Sequence, residues 1–174
     1  MADPSTHYVY QEATIEFVTV AAQYCLLMEQ VAEYERQDFM DKILSVLPLV
    51  YVKARMLPKP TQEMEGYPQQ FVTEEDYESV RQSVGALLGS DDAYLEVYVE
   101  DMRYSDEPIT AYISEDLADI YQELKDLAFN YQTADERVMN DAVLACLEAF
   151  EQHWGQKLLN VMRPLHALFL SANE

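Results

Sequence analysis

From Met139 to Leu168, ten apolar residues (Met139, Val143, Cys146, Leu147, Phe150, Trp154, Leu158, Val161, Leu165 and Leu168) follow one another mostly at steps of three and four. Only an α-helix brings positions so spaced onto one face. Thirty residues of helix reach about 45 Å, and an apolar stripe of that length must be covered by other helices. Gly155 and Pro164 interrupt the run, so one kinked helix and two consecutive helices satisfy the stripe equally. Glycine is otherwise scarce, four in 174 residues, and 49% of the chain is hydrophobic. That excludes collagen-like and disordered classes and leaves ample material for a core. The expectation is an all-α fold: residues 1–174 as a single compact bundle-like domain of about five main helices.

The other helices carry their own signals. Tyr8 to Arg36 reads as one long helix whose apolar residues, Phe17, Val20, Tyr24, Leu27 and Val31 among them, wrap most of its circumference, as in the central helix of a bundle. Asp38 then reads as the N-cap of a second helix, with Pro48 kinking it and Pro58 closing it. Residues 58–72, with Pro60, Gly66 and Pro68, have no period and read as a mobile surface loop. Thr73 and Asp76 form a capping box before a short third helix that ends at Gly89. Residues 90–113 read as an irregular acidic segment, with a minor hairpin near 94–113 as its most ordered form. Ser114 reads as the N-cap of the fourth helix, and Thr133 with Glu136 as the capping box of the fifth.

Charge narrows the function. Eleven Lys plus Arg against thirty-two Asp plus Glu give a net charge of −21, a field that repels phosphate backbones and anionic lipid. Seventeen of the acids lie between residues 60 and 124, where only Arg81 and Arg103 oppose them. Direct nucleic-acid binding is not expected. No apolar stretch is long enough to span a membrane and Met1 to Pro4 does not open a signal peptide, so a cytoplasmic protein is expected. Cys25 and Cys146 stand in apolar helical patterns without zinc or CxxC spacing and read as reduced core residues.

Three stretches carry a resemblance: Leu49-Val50-Tyr51-Val52-Lys53-Ala54 with Leu57-Pro58, Glu115-Asp116-Leu117-Ala118-Asp119-Ile120-Tyr121, and His153-Trp154-Gly155 leading to Arg163-Pro164-Leu165-His166. Together they resemble the domain-of-unknown-function family numbered 5063, over about residues 35–169. The resemblance implies a bacterial, mostly Bacteroides-type source and a compact helical domain, and it brings no catalytic residues. Lys157 stands where other members can have histidine, and Pro164 replaces a more helix-friendly residue, so a family-wide metal site is not implied.

Helical arithmetic places Asp116 and Glu123 on the flank of the fourth helix, with Asp119 farther out, and His153, Lys157 and Asn160 on the polar edge of the fifth. These edges should meet as an interhelical network of Asp116, Asp119, Glu123, His153 and Lys157 that fixes register. No catalytic residue, metal or cofactor is assigned. Glu151-Gln152-His153 lacks the Glu-x-x-His spacing of di-iron bundles, and the acids from Asp91 to Glu107 lack the spacing of a calcium loop. A second cluster, Tyr94, Tyr98, Asp101, Tyr104 and Tyr112, has the composition of a protein-binding surface. The functional expectation is an intracellular interaction module with an acidic face for a basic protein partner. The alternatives are a metal-assisted or carboxylate-based hydrolase on Asp116, Asp119 and His153, and a homo-oligomer formed through exposed apolar surface.

Overall fold

Helix α4 (Ile113–Tyr131) holds the centre of the molecule, packed against α1 (Glu12–Glu29), α3 (Glu74–Leu88), α5 (Glu136–Ala149) and α6 (Gly155–Ser171). A computed structural model describes residues 6–96 and 107–172. Helix α2 (Arg36–Met56) completes the bundle by packing on α1 and α6, and one antiparallel hairpin joins β1 (Ala93–Glu96) to β2 (Ile109–Tyr112). The fold is therefore all-α with a small hairpin. Because α5 and α6 run on through a π-helical turn, Phe150–Trp154, the main helices among the described residues number five.

The central position falls to α4, not to the first helix. The apolar run from Tyr8 to Arg36 is broken into a 3₁₀ turn, α1, and a second 3₁₀ turn at Val31–Glu33, and Ile15 and Leu26 on α1 stay about half exposed. In α4, by contrast, Leu117, Ala118, Ile120, Tyr121, Leu124 and Leu127 are all buried. Pro48 and Pro164 both lie inside continuous helices. Neither stops its helix, because the apolar stripe on either side remains packed: Leu47 and Val50, and Val161 and Leu165, are fully buried.

Gly155 is where the long stripe changes phase. A Cβ there would lie 2.6 Å from the Phe150 carbonyl oxygen and 2.8 Å from its ring, so only glycine admits the wide turn. Trp154, fully buried, donates its indole N–H to the Cys146 carbonyl at 2.9 Å. Cys25 and Cys146 are both buried free thiols.

Three boundaries differ from the sequence pattern. Asp38 lies in the first turn of α2 rather than capping it, and Glu35 takes the cap position. The chain passes directly from β2 into α4, so the extended residue Tyr112 precedes the helix and Ser114 falls within it; Asp92 caps instead, accepting from the Ser114 amide at 2.7 Å and its hydroxyl at 2.6 Å. Asp135, not Thr133, caps α5, because Ala134 takes a left-handed φ of 58° and sets Thr133 back toward the end of α4. The Thr73–Asp76 capping box of α3 is present as read.

Residues 57–73, between α2 and α3, have no regular secondary structure, and polar groups of α4 and α5 hold them. The Glu63 and Met64 amides donate to Asp141, each at 2.8 Å. Those of Phe71 and Val72 donate to Asp126 at 2.7 and 2.8 Å. Asn130 and Asn140 donate to the carbonyls of Gln69 and Thr61. The segment read as a loop is a strap across the α4–α5 pair.

Candidate functional site

At the N-terminal end of α4, Asp116 and Asp119 stand three residues apart, on neighbouring positions of one face. Lys157 of α6 reaches between them, 3.2 Å from Asp116 and 2.7 Å from Asp119. Tyrosines extend the chain of contacts on both sides: Tyr94 of β1 donates its hydroxyl to Asp116, and Tyr77 of α3 donates to Asp119 at 2.8 Å. Five side chains from four elements thus form one network, Tyr94–Asp116–Lys157–Asp119–Tyr77, with two carboxylates against one ammonium. Below it, Tyr24 of α1, fully buried, donates to the Leu117 carbonyl at 2.7 Å.

Asp116 is 6% exposed. Burial raises its carboxyl above the usual range, although the Tyr94 hydrogen bond and the Lys157 charge pull the other way. Burial acts to lower the Lys157 ammonium, but hydrogen bonds and charge from Asp119 and Asp116 outweigh it and hold the group above its ordinary value. The Tyr77 and Tyr94 hydroxyls are raised by burial and by the carboxylates they donate to. Each phenol therefore stays protonated as a donor, and the network is a closed set of charge-assisted bonds.

The predicted network is assembled in part. Asp116, Asp119 and Lys157 meet. Glu123 lies two turns along α4 and faces a small cavity with Tyr67 and Pro68 of the strap and Ala142 and Cys146 of α5; burial and the nearby charges of Asp126 and Asp119 raise its carboxyl. His153 is exposed and has no ion pair among the described residues, because it lies in the π turn, whose wider winding takes it off the edge on which Lys157 sits. Of the tyrosine cluster, Tyr98, Asp101 and Tyr104 lie outside the described residues. Tyr112 is exposed, whereas Tyr94 turns its hydroxyl inward to Asp116, so the two candidate sets share a contact. Tyr77, outside the predicted network, stands at an apolar helical spacing that gives its phenol no polar signal in the sequence.

With the ammonium between the two carboxylates, the arrangement is an ion-pair and phenol clamp joining α3, α4, α6 and the hairpin. Among the described residues, no group of three or more His, Cys, Asp and Glu is placed to hold a metal ion, and no helix is long and apolar enough to cross a membrane.

Two further features surround the clamp. Between α3, α4 and the strap runs a groove of about 450 Å³, lined by Glu74, Glu78, Asp119 and Asp126 with Tyr77 and no basic residue. Between β1 and α6 runs another of about 550 Å³, lined by Leu95, Leu159, Pro164 and Ala167 with Arg163 as its single cation.

The class is a small α-bundle carrying a polar clamp on its central helix. The chain belongs to the family described as a domain of unknown function, DUF5063, whose model matches residues 8–171. It is similar to the crystal structure of protein BF1032 from Bacteroides fragilis at 41% identity and a TM-score of 0.83, covering 93% of this chain and 95% of that one. No curated protein matches the sequence.

Proposed function

We propose that this protein is an interaction module whose acidic face takes a basic protein partner. The observation that carries the reading is the α3–α4 groove, where four carboxylates line one surface; two are paired from outside the lining, Glu78 by Arg81 and Asp119 by Lys157, and the acids still outnumber these cations. The sequence compounds this, with seventeen acids and two basic residues between positions 60 and 124. Such a field accelerates encounter with a positive partner and repels polyanions. The clamp serves the face from behind: by tying α3 to α4 it holds the groove walls at a fixed separation.

The test is titration with a basic protein domain and a lysine-rich peptide at rising ionic strength. Binding should weaken about tenfold or more as salt rises from about 0.05 to 0.3 M. Replacing Glu74 and Glu78 by glutamine should abolish most of it while the helical circular dichroism is unchanged. Binding that ignores both salt and these substitutions refutes the reading.

A further inference from the structure

We propose that a second copy of this chain docks in the groove between β1 and α6, forming a two-fold symmetric dimer centred on Arg163. The inference goes beyond the acidic face and uses a different surface.

The first observation is charge. The chain has thirty-two acidic residues, yet α6, seventeen residues long, contains none. Two molecules of net charge −21 repel one another at most approaches, and an acid-free helix such as α6 is a place where that repulsion is reduced.

The second is the spacing of the outward stripe. Leu159 and Leu170 are about half exposed, and with Arg163 and Ala167 they follow at helical steps of four, four and three. Leu159 and Ala167 are equidistant from Arg163. When two α6 helices cross antiparallel about that residue, each Leu159 faces the second copy's Ala167, a large side chain against a small one at both ends. An isologous interface requires such self-complementarity, and Leu95 of β1, 59% exposed, supplies a further apolar wall to the groove.

The third is a pair of opposite charges, neither with an ion pair among the described residues. Arg163 lines the groove and has no ion pair among the described residues. Glu96, next to Leu95 on β1, sits at the edge of the groove, where it accepts at 2.9 Å from Asn160, a residue of the groove wall, and it too has no cation among the described residues. Across the two-fold axis each Arg163 meets the second copy's Glu96, so the two guanidinium groups are drawn apart and both charges are paired.

Sedimentation velocity between about 1 and 100 µM, at low and high salt, tests this directly. A dimer is expected, tightening several-fold as salt screens the self-repulsion, the opposite of the response expected at the acidic face. Leu159→Glu should weaken it at least tenfold; its site is half exposed, so the helical spectrum serves as the folding control. Arg163→Glu and Glu96→Arg should each weaken the dimer, and the double charge exchange should restore it. A wild-type chain that remains monomeric in both salts overturns the proposal, as does a dimer that Leu159→Glu leaves intact or a charge exchange that fails to restore it.

Discussion

Carboxylates on α4 and α5 are satisfied in two different ways. Asp116 and Asp119 bind other side chains, Lys157 and two tyrosines, whereas Asp126, on the same helix, and Asp141 on α5 each bind two consecutive backbone amides of the strap. The first arrangement locks elements to one another, and the second sets the course of a segment with no regular structure of its own. Their energetics differ accordingly. An ion pair between helices must first overcome desolvation of both partners, so its net contribution is modest. A carboxylate at the strap satisfies amides that no helix or sheet ladder would otherwise serve, and its loss leaves them wanting.

The largest expected effect therefore lies on the strap side. Asp141 is 5% exposed and also accepts from Asn140 at 3.0 Å. Asp141→Ala removes three hydrogen bonds to a charged acceptor and should cost about 3 kcal/mol, a fall of roughly 6–12 °C in melting temperature for a chain of this size. Hydrogen exchange at Glu63 and Met64 should accelerate at the same time. If the variant melts within a degree or two of the wild type, the strap's bonds are exchanged for water without loss and the contrast collapses.

On the clamp side the expected effect is smaller and depends on pH. Lys157→Met leaves Asp116 and Asp119 facing each other without the cation, at a cost of about 2 kcal/mol near pH 8. Unpaired carboxylates in the fold take up protons more readily than in the unfolded chain, so the deficit should shrink as the pH falls toward about 5. Thermal melts of the variant and of Asp116→Ala at both pH values decide the matter. A deficit that is absent at both would mean that solvent screens the clamp.

How much of this was legible follows the same division. Asp116 and Lys157 announce themselves because charged residues at flank positions of two apolar stripes have few other uses, and Asp119, farther out, follows as the acid one turn from Asp116. Asp126 and Asp141 give no such signal, since their partners are amides that every non-proline residue possesses. The segment therefore read as a loop and nothing more. His153 was misplaced for a third reason: a period of 3.6 holds only while the helix is regular, and the π turn at Phe150–Trp154 breaks the count just where it is needed. Gly155 marks the place, but its role shows only when the approach to Phe150 is measured. Helix starts failed where tertiary contacts overrode local ones, with Asp92 reaching across from the far side of the hairpin to cap α4.

The smallest expected effect is the pH response of the wild type, and it sharpens the comparison because both kinds of carboxylate contribute to it. Burial raises Asp116 despite its cation, and raises Asp126 despite its amides; Glu123 is raised by burial and by neighbouring acids. A carboxylate raised in the fold contributes stability that is complete below its unfolded value and is lost as the pH climbs through the folded one. Stability should therefore rise as the pH is lowered from neutrality toward the folded values of these carboxyls. Asp76 works in the other direction: the Thr73 amide and hydroxyl lower its carboxyl, so its contribution, present above the unfolded value, disappears only in stronger acid. At the alkaline end, Lys157 contributes fully below its ordinary value and ceases to do so as the pH passes through its raised one. Solvent screening of the partly exposed members limits this acid-side gain to about 2 °C in melting temperature. Asp116→Asn and Asp126→Asn divide it: because Asp116 is the more deeply buried of the two, its variant should lose the larger share of the acid-side rise, and a rise that disappears only with Asp126→Asn would assign it to the strap instead.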